Sequence, residues 1–283
     1  AITARLTHGN TVRVFDFGQT ADGELFLVME RLHGQSLRRQ LDGLRAEGQK
    51  MEPAETIRIG TGVLQSLSQA HATGLVHRDL KPENIYLHEV ARRAPIIKVL
   101  DFGVVKGGGT DVTQVGELVG TPTHMAPEQV REMPVDRRCD LYSLGIVLYE
   151  CVCGSLPFES VGALQLMMMH VQTPPPPLAE RAPEAPPALV EVIDKALAKE
   201  PDDRWPDAAA MRAALIAVDK TLRPKRPTTG KRKIPTVLST TPRAERRSPR
   251  APGAIHTVPR RKVANKKKLH LAATRPVERD DDK

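Results

Sequence analysis

His77-Arg78-Asp79-Leu80-Lys81-Pro82-Glu83-Asn84 is the stretch on which the reading of this chain turns. It packs two acids, two bases, an imidazole and an amide into eight residues around one proline. That is a loop's composition rather than a regular element's. A lone Asp in such a loop is more often a turn or cap residue than a reactive group. The surroundings change that weighting. Asp101-Phe102-Gly103 follows 17 residues after Asn84, and Ala126-Pro127-Glu128 stands further on. Each tripeptide alone is weak, but all three strings in this order and spacing are highly specific.

The flanks give the string a context. Upstream, residues 54–73 carry Ile57, Leu64, Leu67 and His71 at helical spacing, and Gly74 closes the run. Downstream, the apolar pieces of 75–103, "IYL" and "IIKVL", predict a two-stranded unit. Further towards the N-terminus, "TVRVFDFG" and "ELFLVME" predict an antiparallel pair with a turn spanning Gly18 to Gly23, followed by a short helix from Ser36 to about Leu44. Residues 140–153 form an apolar helix with no clear polar face, which predicts burial at the centre of the domain. The segment 174–187 holds seven prolines and reads as loop, and helices resume over 188–199 and 207–221, the second capped by Asp207. The whole is an α+β domain with a small strand part.

Composition divides the 283 residues in two. Every aromatic residue lies at or before Trp205. From Arg223 to Lys283 there are 19 Lys/Arg against 5 Asp/Glu, whereas the formal charge of the whole chain is only +8, so the body is mildly acidic and the tail strongly basic. The tail has eight prolines and few large apolar residues, too little to offset chain entropy, and is expected to be disordered. The expected division is a domain over 1–222 and a tail over 223–283. Cys139, Cys151 and Cys153 are an odd number in an apolar helical stretch, which fits buried thiols in a reducing cytoplasm better than disulfides. No apolar run approaches the roughly 18 residues of a membrane span, and no signal peptide opens the chain. The first residue is Ala, so the sequence is expected to start inside a longer one.

The three strings resemble the eukaryotic-like, bacterial Hanks-type serine/threonine protein kinases. The resemblance covers residues 1 to about 222 and implies the protein kinase-like fold, with a strand-rich N-lobe, present in part, and a helical C-lobe. It implies transfer of the ATP γ-phosphate to Ser or Thr of protein substrates, with Mg²⁺, or Mn²⁺ as the alternative ion. Asp79 matches the base that orients the acceptor hydroxyl, Lys81 the cation beside the γ-phosphate, and Asn84 and Asp101 the oxygen ligands of the metal. Lys81 two residues after the Asp is the serine/threonine pattern. Thr121 matches the threonine that contacts the catalytic Asp and Lys.

Further matches implied by the resemblance concern support and regulation. Arg78 marks kinases whose activation loop is held by a phosphothreonine, for which Thr110 and Thr113 are the candidates. His77 and Phe102 match apolar spine positions. Glu128 and Arg204 match a buried ion pair, and Asp140 matches a buried helix Asp that binds the catalytic-loop backbone. Met29 matches the gatekeeper, Glu30 and Leu32 the backbone that reads the adenine edge, and Tyr86 the floor of that pocket. The resemblance departs at His124, where bacterial members usually carry Tyr. No Gly-x-Gly-x-x-Gly occurs in the sequence, and the strand lysine and helix glutamate would fall before Ala1. The chain as given is therefore expected to be an incomplete and inactive fragment. Two other classes compete with a kinase: a pseudokinase acting as a regulatory binding module, and a nucleic-acid or membrane-surface binder working through the basic tail. Retention of Asp79, Asn84 and Asp101 together favours the enzyme. The tail's clusters lack aromatic residues for base stacking, so its contact with polyanions is expected to be nonspecific.

Overall fold

A computed structural model describes residues 6–102 and 122–222. Thr110, Thr113, Thr121, Gly103 and the basic tail lie outside the described residues. Strands β1 (Val14–Gln19) and β2 (Leu25–Met29) form an antiparallel ribbon. Its turn spans Thr20 to Glu24, with Gly23 at φ +86°. Gly18, expected in the turn, lies inside β1 opposite Phe26. The Phe26 ring covers it so closely that an added Cβ would sit 2.6 Å from the ring, which is the close approach that a strand glycine permits.

The ribbon joins the helical body through β5 (Ile96–Val99). Val12 N–H donates to Val99 C=O at 2.9 Å, and Asn10 Nδ2 donates to Ile97 C=O at 2.7 Å. Instead of the expected two-stranded unit, β5 and β4 (Ile85–His88) belong to a three-stranded antiparallel sheet, whose third member is β3 (Gly34–Ser36). Gly34 has φ +112°, and a Cβ there would lie 2.2 Å from Leu87 C=O. Only glycine fits both demands.

Helix α1 (Leu37–Ala46) starts at Ser36, whose Oγ accepts from Arg39 N–H at 3.3 Å. Helix α2 (Pro53–Ala72) ends before Gly74, at φ +77°. Short α3 (Pro127–Val130) precedes α4 (Arg138–Cys153), in which every residue from Cys139 to Cys153 is buried. That explains its lack of a polar face. The three thiols are free and buried there. Helix α5 (Ala163–Gln172) was not anticipated. The proline-rich stretch is not all loop: Leu178–Arg181 makes one helical turn, α6, around the fully buried Leu178. Burial of that leucine outweighs the local proline preference. Helices α7 (Pro187–Ala196) and α8 (Ala208–Leu222) complete the body, and Asp207 Oδ1 accepts from Ala210 N–H at 2.8 Å.

Two glycines set the spacing of the core. At Gly60 an added Cβ would meet Leu215 of α8 at 2.8 Å; at Gly62 it would meet Ile97 of β5 at 2.7 Å. Helix α2 is thus drawn tightly against both neighbours. Among the described residues no helix is long and apolar enough to cross a membrane.

Candidate active site

The loop from Val76 to Asn84 leaves α2 and enters β4, and its backbone is not free to wander. Asp140, fully buried on α4, holds it from beneath. Its Oδ2 accepts from His77 N–H at 2.9 Å, and its Oδ1 from Arg78 N–H at 2.8 Å. His71 Nε2–H adds a bond to Oδ2 at 2.7 Å. Burial works against the Asp140 carboxylate, yet the His71 bond and the neighbouring imidazoles hold it below its ordinary pKa. The contact with His71 spans 69 residues, so helical spacing alone read His71 only as part of an apolar face.

Arg78 needs that support, because it has φ +65°, a left-handed conformation that a non-glycine residue pays for. His77 is 1 % exposed and works as a two-ended brace. Its Nε2–H donates to Leu100 C=O at 2.8 Å, and its Nδ1 accepts from Asp79 N–H at 3.3 Å. Its ring lies 4.8 Å from that of Phe102, which is 2 % exposed.

Asp79 itself points to solvent, with a side chain 53 % exposed, and Lys81 Nζ donates to both of its oxygens at 3.0 and 3.2 Å. Asn84 is buried beside it. Its Nδ2 donates to Asp79 C=O at 2.8 Å, which fixes the amide orientation and leaves Oδ1 as the atom available to a cation. Leu100 N–H donates to Asn84 C=O at 2.8 Å. Leu100 is therefore clamped at both polar groups, by Asn84 and His77, which fixes the backbone that leads into Asp101. Asp101 is exposed and has φ +51°, a second left-handed non-glycine residue at this site. Asp79, Lys81 and Asn84 are thus linked by hydrogen bonds, and Asp101 directly follows the clamped Leu100. Among the described residues no group of three or more His, Cys, Asp or Glu could cage a metal. A carboxylate and an amide oxygen suit instead a hard cation that completes its shell with water and phosphate.

The other candidate residues fall into two neighbourhoods. Met29 ends β2 and is 40 % exposed, Glu30 follows it, and Leu32 is half-buried. The Glu30 backbone N–H donates to Arg13 C=O at 2.9 Å, and its carboxylate accepts from Arg13 N–H at 2.8 Å and Lys98 Nζ at 2.5 Å. Burial opposes that carboxylate, but the Lys98 bond, the Arg13 N–H bond and the nearby Lys98 and His88 charges together outweigh it and lower the pKa. Tyr86 lies in β4 and reaches sideways, its hydroxyl donating to Gly34 C=O at 2.8 Å. A tyrosine there is tethered to the start of β3, unlike a purely apolar residue.

On the far side of the loop, Glu128 and Arg204 form a buried bidentate pair, with both N–O distances 2.7 Å. His124 is 8 % exposed. Its C=O accepts from Ser143 Oγ at 2.7 Å, and its Nε2 stands 3.9 Å from Glu150 Oε2. Burial, with the nearby charges of His170, Arg38 and Lys81, pulls the His124 pKa down to about 3, so the ring is neutral near pH 7. Glu150 is 1 % exposed and accepts from Arg38 at 2.8 and 3.2 Å and from Arg45 at 3.2 Å. These partners lie more than a hundred residues apart, and nothing in their local sequence marks them.

The chain matches the model of the protein kinase domain over residues 1–216. It is 42 % identical over 224 residues to the serine/threonine-protein kinase Pkn3 of Myxococcus xanthus, an alignment covering 77 % of this chain and 40 % of that protein. It is 40 % identical over 210 residues to Pkn1 of the same organism, with 74 % and 29 % covered. The corresponding figures for PknB of Mycolicibacterium smegmatis are 38 % over 230 residues, with 79 % and 36 % covered. The chain therefore spans well under half the length of these curated relatives.

Proposed function

The chain belongs to the protein kinase family, and from that premise we propose that it transfers the γ-phosphate of ATP to Ser or Thr hydroxyls of protein substrates. The observation that supports this reading is the hydrogen-bonded set of Asp79, Lys81 and Asn84, with Asp101 directly after Leu100, which His77 and Asn84 clamp. Asp79 accepts the proton of the acceptor hydroxyl and aims its oxygen. Its exposed carboxylate is held by a cation, Lys81, at 3.0 Å. Lys81 is placed to offset charge on the transferred phosphoryl group as well. Asn84 Oδ1 and the Asp101 carboxylate hold a divalent cation, for which Mg²⁺ is the first choice and Mn²⁺ the alternative. Such an ion, when bound, neutralises the phosphates and keeps them in line for attack.

The backbone of Glu30 and Leu32 reads the adenine edge, with Met29 behind the base and Tyr86 beneath it. Arg78, exposed beside Asp79, is the cation that would receive a phosphate placed on Thr110 or Thr113.

The test uses the whole protein, wild type and Asp79→Asn, with radiolabelled ATP, Mg²⁺ and a generic basic protein as acceptor. The expected loss of transfer is at least about 100-fold, the usual effect of removing a general base, with the thermal transition unchanged. Retention of more than about a tenth of the wild-type rate, against that same expectation, overturns the assignment.

A further inference from the structure

The peptide plane that joins Arg78 to Asp79 is held at both ends. At its nitrogen end, Asp79 N–H donates to His77 Nδ1 at 3.3 Å. At its oxygen end, Arg78 C=O accepts from the side chain of Gln129, Nε2 to O at 2.8 Å, across 51 residues. The other atom of that same amide, Gln129 Oε1, accepts from Ala126 N–H at 3.0 Å and caps α3. The two contacts demand opposite polarity, so the amide has one workable orientation, with its oxygen towards Ala126 and its nitrogen towards Arg78. Helix α3 is itself anchored, through Glu128 to Arg204 at 2.7 Å and through Arg131 to Glu200 at 3.0 Å. It is also the first element after residues 103–121, which the structure does not describe.

From this geometry we propose that Gln129 is a positioning residue for Asp79. It acts through the Arg78 carbonyl and ties the orientation of the base to the seating of α3. The inference rests on the proposed kinase reading for its catalytic consequence, but not for the bridge itself. Arg78 sits at φ +65°, away from its preferred backbone regions, and relaxes unless held. Asp140 holds only the N–H groups of His77 and Arg78. Without Gln129 the carbonyl side of Arg78 loses its side-chain tether. The peptide plane can then rock about the remaining bonds, carrying the Asp79 carboxylate with it. A displacement of the order of 1 Å in a reacting group can cost about 100-fold in rate.

Glutamate at this position separates capping from bridging. In Gln129→Glu one carboxylate oxygen still accepts from Ala126 N–H, so α3 stays capped. The other oxygen meets Arg78 C=O with no hydrogen to give, and two acceptors face each other. Protonating that carboxyl restores a donor, so the defect of this variant is relieved at low pH.

The experiment compares wild type, Gln129→Glu and Gln129→Ala in the whole protein with two measurements. The first is amide hydrogen exchange over residues 77–81, which needs no activity. Both variants are expected to exchange faster there at pH 7.5, while α4 remains as protected as in wild type. The second is steady-state kinetics between pH 5.5 and 7.5. The expected result at pH 7.5 is a kcat lowered about 10-fold or more with KM for ATP within about twofold, because among the described residues the Gln129 side chain hydrogen-bonds to Arg78 and Ala126 and not to Met29, Glu30, Leu32 or Tyr86. The ratio of Gln129→Glu to wild-type kcat should rise several-fold as pH falls to 5.5, while the ratio for Gln129→Ala stays flat. Unchanged exchange over 77–81 overturns the bridge. Unchanged kcat, or a Gln129→Glu ratio that does not respond to pH, overturns the positioning role. Wild-type protein that transfers no phosphate, and is indifferent to Asp79→Asn, overturns the kinase reading and with it the catalytic consequence, while the exchange result still decides the bridge.

Discussion

Replacing Arg204 with methionine tests how the end of α3 is held. The Arg204 guanidinium makes five hydrogen bonds: two to the Glu128 carboxylate at 2.7 Å, and one each to the carbonyls of Ala198 and Lys199 at 2.8 Å and of Arg138 at 3.2 Å. Glu128 is 3 % exposed, so Arg204→Met strands a carboxylate with no cation and little water. Breaking a buried pair by removing one partner costs about 3–5 kcal/mol. The orphaned carbonyls raise this, and a total near or above about 5 kcal/mol is a large share of a domain's stability. For a domain of this size that corresponds to a fall in Tm of about 10–20 °C.

The decisive comparison is with Glu128→Leu/Arg204→Met. If the stranded charge is the main cost, removing it as well recovers stability, because apolar replacements of a whole buried pair are often tolerated. The assay is thermal and urea unfolding of the three proteins at pH 7.5. A double variant no more stable than Arg204→Met would show that the carbonyl contacts, and not the ion pair, hold this corner, and the reasoning would fail.

Two further outcomes concern stability. Burial and the Lys199 charge bring the His170 pKa down to about 4, and His124 is held at about 3, whereas an unfolded chain protonates histidine near 6.5. Below about pH 6.5 the unfolded state therefore binds more protons, and stability falls with falling pH until the folded values are reached. Each ring contributes a loss of about 2 kcal/mol between pH 8 and pH 5. Urea midpoints at the two pH values measure it, His124→Tyr should remove about half of the effect, and equal stability at both would refute the account. Gly62→Ala should destabilise by about 1–3 kcal/mol despite the better helix propensity of alanine, because the new methyl meets Ile97 at 2.7 Å. A rise in Tm would mean that α2 can retreat from β5 at no cost.

The ease with which elements could be read from the sequence followed how local their causes are. Helix α2 carries its own periodicity and stop signal, and α4 its unbroken apolar composition, so both were evident. Strand β3 was not, since Gly34, Gln35 and Ser36 have no strand preference and become a strand only because β4 offers its edge. Helix α6 was hidden by the four prolines before it, because its cause, the burial of Leu178, is tertiary. The site shows the same division. Asp79, Lys81, Asn84 and Asp101 stand in recognisable strings. By contrast His71, Gln129, Arg38 and Arg45 find their partners 51 to 112 residues away, and their own neighbours in sequence carry no sign of it.

The burial of α4 on every side from Cys139 onward has a consequence for how the protein is made. A helix buried at every residue from Cys139 to Cys153 cannot rest half-docked on a partial structure. Its cover includes α7, which begins at Pro187, and α2, which packs in turn against α8, ending at Leu222. During synthesis α4 thus leaves the ribosome some 70 residues before its last supports exist. At about 5–20 residues per second, that segment is exposed for several seconds. It is the stretch that a chaperone would bind on the nascent chain. Once enclosed, its central amides should exchange with solvent only when the whole domain opens.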